Sequence, residues 1–168
     1  MPMSAYMREI RAKVGSRLLL MPSAAVALRD VEGRVLLARH RTGGIWAFPG
    51  GSLDPRETPA DAAVREVWEE LDVVVDLTGI VGVYAGPDFV VRYENGDETA
   101  YVSILFAGRV AQGAPRPDGD EIVEIGWFTR EQLAEIETPA WLDDALRDVF
   151  EGRRAAFRPP TWRPPPHA

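Results

Sequence analysis

An α+β fold is predicted for this chain of 168 residues. Three observations predict it. Several runs have the composition and length of strands, three others repeat apolar residues at helical spacing, and turn residues punctuate the intervals. The composition suits one compact domain: 46% of residues are hydrophobic and 27% charged, enough for a core without covalent staples.

Tyr6, Ile10 and Val14 recur at i, i+4 and i+8 ahead of Gly15, which predicts an amphipathic helix across residues 1–16. Residues 18–29 and 34–41 read as strands joined by a hairpin turn at 30–33. The helix that follows is well marked: Thr58 serves as N-cap, Pro59 fits the first helical position, and Asp61 stands three residues after Thr58 as in a capping box. Ala60, Ala63, Val64, Val67 and Leu71 give it an apolar face, set about a third of a turn from Glu66, Glu69 and Glu70 at 100° per residue. Residues 73–84 and 89–93 are further strands, Asn95-Gly96 marks a tight hairpin, and 99–110 form a long strand. One more strand spans 122–128. Thr129, with Gln132 as capping-box partner, starts a short helix, and Trp141, Ala145 and Val149 share a face of a final helix over 141–150. Residues 152–168 are rich in proline and arginine, and the closing proline-dense stretch cannot form a helix or a central strand; a polyproline II or disordered tail is expected.

Glu66, Glu69 and Glu70 lie at i, i+3 and i+4, so one helix face brings their carboxylates together. Crowded acids repel unless a cation lies between them, and hard oxygen donors suit magnesium or manganese. Upstream, Phe48-Pro49-Gly50-Gly51 supplies paired glycines that let the backbone approach a ligand closely or expose a carbonyl to a metal.

The spacing as a whole is more specific than any of its parts. Gly51, five residues, Glu57, seven residues, Arg65-Glu66, Val67, one residue, Glu69-Glu70, one residue, Asp72 and Val73 resembles the Nudix box of the Nudix hydrolase superfamily. Asp72 stands where the family has glycine. A residue just past a helix often needs positive φ, which Asp tolerates better than most.

The resemblance implies an α/β/α sandwich with a mixed β-sheet, occupying residues 17–151. It also implies a pyrophosphohydrolase that adds water at the phosphorus of a nucleoside diphosphate derivative, with Mg2+ (or Mn2+) as cofactor. Glu66, Glu69 and Glu70 match the family's metal-binding positions, and the Gly51 carbonyl often completes the set. Glu57 is a supporting or second-metal carboxylate, and Arg65 braces the acids. Glu66, Glu69 and Glu121 are the candidate catalytic acids. The general base is the Glu66 equivalent in some members and an acid on a later loop in others; Glu121, after Asp118-Gly119-Asp120, fits the second case.

Arg39 and Arg41 are candidate phosphate contacts, since guanidinium matches phosphate geometry. Trp46, Phe89, Tyr93, Tyr101 and Trp127 are candidate stacking surfaces for a base, and Trp46 joins the two arginines in the expected substrate-binding set. The small-molecule substrate is expected to be a nucleotide, a nucleotide-sugar or an ADP-ribose-like compound. Two alternatives stand beside it: hydrolysis of dinucleoside polyphosphates or capped RNA, and a non-catalytic nucleotide-binding sensor. The net charge of −7 comprises four arginines after residue 151 against −11 elsewhere, and so acidic a body argues against general nucleic-acid affinity.

The chain has no cysteine, which excludes disulfides and thiolate chemistry and weakens a likeness to isopentenyl diphosphate isomerase, a relative of the same fold that relies on a cysteine. Its two histidines, His40 and His167, leave little for a histidine-based zinc site, and His40 reads as a strand end near a phosphate-binding rim. No run resembles a membrane span or a signal peptide, so a cytoplasmic protein is expected. A homodimer is implied at family level only.

Overall fold

The computed structural model describes residues 5–93 and 95–155. Most of the proline-rich tail, from residue 156 on, and His167 lie outside the described residues. In chain order the elements are α1 (Ala5–Val14), β1 (Leu19–Leu28), β2 (Val35–His40), β3 (Trp46–Ala47), β4 (Gly50–Ser52), α2 (Pro59–Leu71), β5 (Val74–Tyr84), a 3-10 turn (Pro87–Phe89), β6 (Val90–Arg92), β7 (Glu98–Gln112), β8 (Ile122–Phe128), α3 (Arg130–Leu133) and α4 (Ala140–Phe150).

Two sheets carry the fold. A mixed sheet runs β4-β1-β7-β5, with β6 paired to β7, and a three-stranded antiparallel sheet runs β3-β2-β8. The expected β1–β2 hairpin is only a turn: Asp30 N–H donates to the Arg34 carbonyl, but one isolated bridge joins Arg29 to Val35 before the strands part into different sheets. β1 pairs instead in parallel with β7 over ten residues, from Leu19↔Thr99 to Leu28↔Gly108. The Asn95-Gly96 turn does close a hairpin, between β6 and β7. The run expected as a strand over 89–93 is split, with the 3-10 turn occupying its start.

Strand alternation builds two cores. Ala24, Val26 and Leu28 of β1, with Leu36 and Ala38 of β2, face a cluster completed by Ala62, Ala63, Val67 and Leu71 of α2. Their neighbours Ala27, Val35 and Leu37 face a second cluster completed by Leu142, Ala145, Leu146 and Val149 of α4. Successive residues of a strand point to opposite faces, so helices cover both sides and an α/β/α sandwich results. No helix among the described residues is long and apolar enough to cross a membrane.

α1 docks differently from its apolar stripe. Tyr6 is exposed, and the buried residue is Arg11. Its guanidinium donates to the carbonyls of Gly15, Arg17 and Glu98 and to Thr99 Oγ1, and lies 3.5 Å from Asp97. A buried cation is tolerable because hydrogen bonds and a carboxylate surround it.

Candidate active site

α2 begins and ends as its sequence dictates. Thr58 is extended, and its side chain accepts from Asp61 N–H at 3.2 Å. The reciprocal half of the capping box is replaced by a bond from the Thr58 hydroxyl to the Asp61 carboxylate. At the other end Asp72 adopts the left-handed conformation, φ 53° and ψ 41°, and its N–H donates to Trp68 O at 2.9 Å. Glycine adopts this geometry more readily than Asp does; here the Asp72 carboxylate also pairs with Arg116.

The acids do not share one exposed face. The buried arc of α2 runs through Ala62, Ala63, Glu66, Val67, Glu70 and Leu71, so two glutamates lie inside it, while Ala60 and Glu69 are exposed. The glycine pair makes room for them. Gly50 N–H donates to Glu70 Oε2 at 2.9 Å, and a Cβ on Gly51 would stand 2.5 Å from the Glu66 carboxyl carbon. Two buried oxygens, Glu66 Oε2 and Glu70 Oε1, have no hydrogen-bond partner among the described residues. Burial pushes the Glu66 carboxyl up to about 7, with Glu69 and Glu121 adding to the rise and Arg65 opposing it. Burial, aided by Glu121, also raises Glu70 well above the ordinary range.

Arg65 organises the outer acids. Its Nη1 donates to Glu66 Oε1 at 2.9 Å and to Glu69 Oε2 at 3.0 Å, while Nε and Nη2 grip both oxygens of Glu57 and Nη2 reaches the Ser52 carbonyl. The Arg65 bonds hold Glu57 below the usual carboxylate range, and those to Glu57 push Arg65 further up. Glu57 and Arg65 thus form a strut between the glycine loop and the helix.

Glu121 arrives from the loop before β8. Arg116 and Asp118 N–H donate to the Leu71 and Glu70 carbonyls at the end of α2, fastening that loop to the helix. The Asp118 carboxylate accepts from the N–H groups of Asp120, Glu121 and Ile122, an arrangement that fixes Glu121. Burial raises Asp118, but these bonds outweigh it and hold its pKa low. Arg41 completes the clasp, donating to the carbonyls of Gly119 and Asp120, and its own N–H bonds Glu121 O.

Among the described residues, one group of three side chains has ligand atoms mutually within 4.8 Å: His40, Glu70 and Glu121. Of these the sequence marked Glu70 as a metal ligand and Glu121 as a candidate general base, and it gave His40 only as a strand end near a phosphate-binding rim. Glu66 and Glu69 stand beside the group, tied to Arg65. Burial holds His40 below its ordinary pKa and so favours the neutral ring, against the opposing pull of Glu121. Arg39 is engaged with Glu124 and the Gly44 carbonyl. Trp46 packs edge-to-face on Phe128, 5.2 Å between centroids, in the second core. Phe89 is likewise packed, against Tyr84 and Trp141. Tyr93 and Tyr101 differ: their hydroxyls are 2.7 Å apart, Tyr93 is partly exposed, and the Glu121 charge bears on it.

The donor set fits a divalent cation, because buried carboxylate oxygens without partners are costly unless a charge meets them. Its absence or presence should be visible in stability. Glu66 at about 7 in the folded chain, against 4.5 for an ordinary glutamate, binds a proton more tightly folded than unfolded. Stability from this group is full below pH 4.5 and is lost as pH rises through 7. In chelator, Glu66→Gln is therefore expected to gain on the parent between pH 5 and 8, by up to about 3 kcal/mol, and added divalent cation should erase the gain. Thermal melts of both proteins at the two pH values check this; a constant gap would dismiss the shifted carboxyl.

A mixed-sheet sandwich with a glycine–carboxylate loop and helix is the architecture of Nudix hydrolases, and the NUDIX domain model matches residues 19–149. The chain belongs to this family, whose enzymes generally use divalent metal ions. It is 31% identical over 116 residues to a putative 8-oxo-dGTP diphosphatase of Bacillus subtilis, covering 69% of this chain and 71% of the relative. An ADP-ribose pyrophosphatase of Methanocaldococcus jannaschii is 31% identical over 124 residues, covering 71% and 69%. Among solved structures, the MutT protein of Methanosarcina mazei Go1 superposes with a TM-score of 0.62 at 27% identity, covering 79% of this chain and 91% of that one.

Proposed function

We propose that the chain hydrolyses the diphosphate linkage of a nucleoside diphosphate derivative by water attack at phosphorus, with Mg2+ or Mn2+ as cofactor. The observation that carries this reading is the pair of buried, partnerless oxygens, Glu66 Oε2 and Glu70 Oε1, held by a glycine loop near Glu121. A bound cation would supply positive charge to the phosphate oxygens as negative charge builds on them. Glu70 and Glu121 would hold it with Glu66 beside them, and Glu69 and the Gly51 carbonyl would complete the set.

Glu66 is the best-placed acceptor for the water's proton. Arg65 fixes its Oε1, Oε2 has no hydrogen bond among the described residues, and a pKa of about 7 suits proton transfer near neutrality. Arg41 acts through Glu121 rather than on phosphate, since its guanidinium is occupied by the loop that carries that acid. The exposed Tyr93 ring, its hydroxyl tied to that of Tyr101, is a better base-stacking rim than Trp46, which is packed on Phe128.

Nucleoside triphosphates and ADP-ribose-like compounds are the favoured substrates, in keeping with the names of the two relatives. The test is a panel of triphosphates, ADP-ribose, nucleotide-sugars and dinucleoside polyphosphates, incubated with and without Mg2+ or Mn2+ and assayed for phosphorylated products. Metal-dependent turnover of at least one is expected. Tight binding of a panel member with no turnover would replace the hydrolase by a nucleotide sensor.

A further inference from the structure

We propose that His40 is a nitrogen ligand of the metal site, closing a three-donor group with Glu70 and Glu121 that prefers a manganese-like transition cation to magnesium. The inference rests on the metal-binding reading above.

Three elements deliver the donors. His40 ends β2, and the β2–β8 register shifts there: Arg39 faces Glu124 while His40 faces Ile122, so Val123 is skipped. Such a bulge re-aims side chains beside a site. Glu121 immediately precedes Ile122, and its Oε1 lies 3.8 Å from His40 Nδ1, beyond hydrogen-bond length. Glu70 rises from α2, with Oε2 committed to Gly50 N–H and Oε1 buried without a partner. One ligand atom from each of the three lies within 4.8 Å of the others.

That separation is close to what a shared ion requires. Donors about 2.1 Å from one cation stand roughly 3 to 4.2 Å apart, so atoms at the 4.8 Å limit close the group by moving roughly 0.6 to 1.8 Å together, within the reach of side-chain rotations. A plain His40–Glu121 ion pair explains the distance less well, because it leaves the Glu70 oxygen unmet. Imidazole suits transition cations, whereas Mg2+ favours oxygen and keeps its waters.

The test loads the full chain with Mn2+ and reads imidazole nitrogen coupling by pulsed electron paramagnetic resonance, with 14N-histidine and 15N-histidine samples compared. A histidine-derived coupling is expected in the parent and in His167→Gln, and its loss in His40→Gln. Mn2+ affinity should fall at least roughly tenfold in His40→Gln, the cost of losing even an outer partner, while Mg2+ affinity measured by competition changes much less. Mn2+ bound without histidine coupling, or with a coupling that survives His40→Gln, overturns the ligand role and leaves the metal site standing. Failure of the folded parent to bind Mn2+ at all overturns both. Should His40→Gln fold poorly, the labelled parent and His167→Gln spectra decide alone.

Discussion

Glu70→Gln is expected to lower kcat/KM by on the order of 10² to 10³-fold, as loss of a charged group at a reacting centre does, while leaving the fold intact. The side-chain amide keeps the shape of the carboxyl, and its oxygen still accepts from Gly50 N–H, so the glycine loop stays seated. What disappears is the charge. In the folded chain that charge is disfavoured by burial and by Glu121, and only a cation makes it tolerable. The variant should therefore melt no lower than the parent in chelator, yet gain little or nothing from added Mg2+ or Mn2+. Steady-state kinetics and melts with and without metal check both halves. Unchanged turnover would show that Glu70 is a structural acid and that the metal lies elsewhere.

Gly50→Ala is expected to be the most damaging single methyl in the chain. Gly50 has φ 152°, a conformation that side chains rarely adopt, and a Cβ there would stand 2.3 Å from Ala24 O and 2.5 Å from Ala25 Cα. Both obstacles are backbone atoms of β1, a central strand, so neither can rotate away. A loss of on the order of 3 kcal/mol or more follows from backbone strain and overpacking combined, enough to prevent folding of a marginal domain. Gly51→Ala is the informative companion. Its Cβ meets the end of the Glu66 side chain rather than backbone, so that protein should fold and fail in catalysis. Circular dichroism melts separate the two. Equal stability of Gly50→Ala and its parent would mean that β4 does not sit against β1 as described.

The box helix was legible because its signals are local. Thr58, Pro59 and the positions of Glu66 and Glu70 state its start and its acids within fifteen residues. What that local reading could not supply was which acids are buried, since this depends on β4, a three-residue strand of small residues with no periodicity to detect. The parallel β1–β7 pairing escaped for a related reason: about eighty residues separate Leu19 from Thr99, and turn signals speak only for neighbours. His40 was visible only as a strand end, because its approach to Glu121 depends on the β2–β8 pairing and a bulge within it. Arg11 inverted the reading of its helix: the apolar stripe suggested how α1 docks, and the cation does the docking. The Asp118 turn had a signal, Asp-Gly ahead of a strand, which marks a loop without saying that it clasps a helix.

The fastening of the 116–121 loop to the last carbonyls of α2 sets a common reference for two groups from distant parts of the chain. Glu70 is a side chain of that helix, and Glu121 hangs from a loop whose anchor is the Glu70 carbonyl itself. Arg41, just past the end of β2, ties the same loop through Gly119, Asp120 and Glu121, so the acid is held between helix and strand. On the metal-binding reading proposed above, the spacing of the two acids is set by this three-way backbone clasp and not by α2 alone.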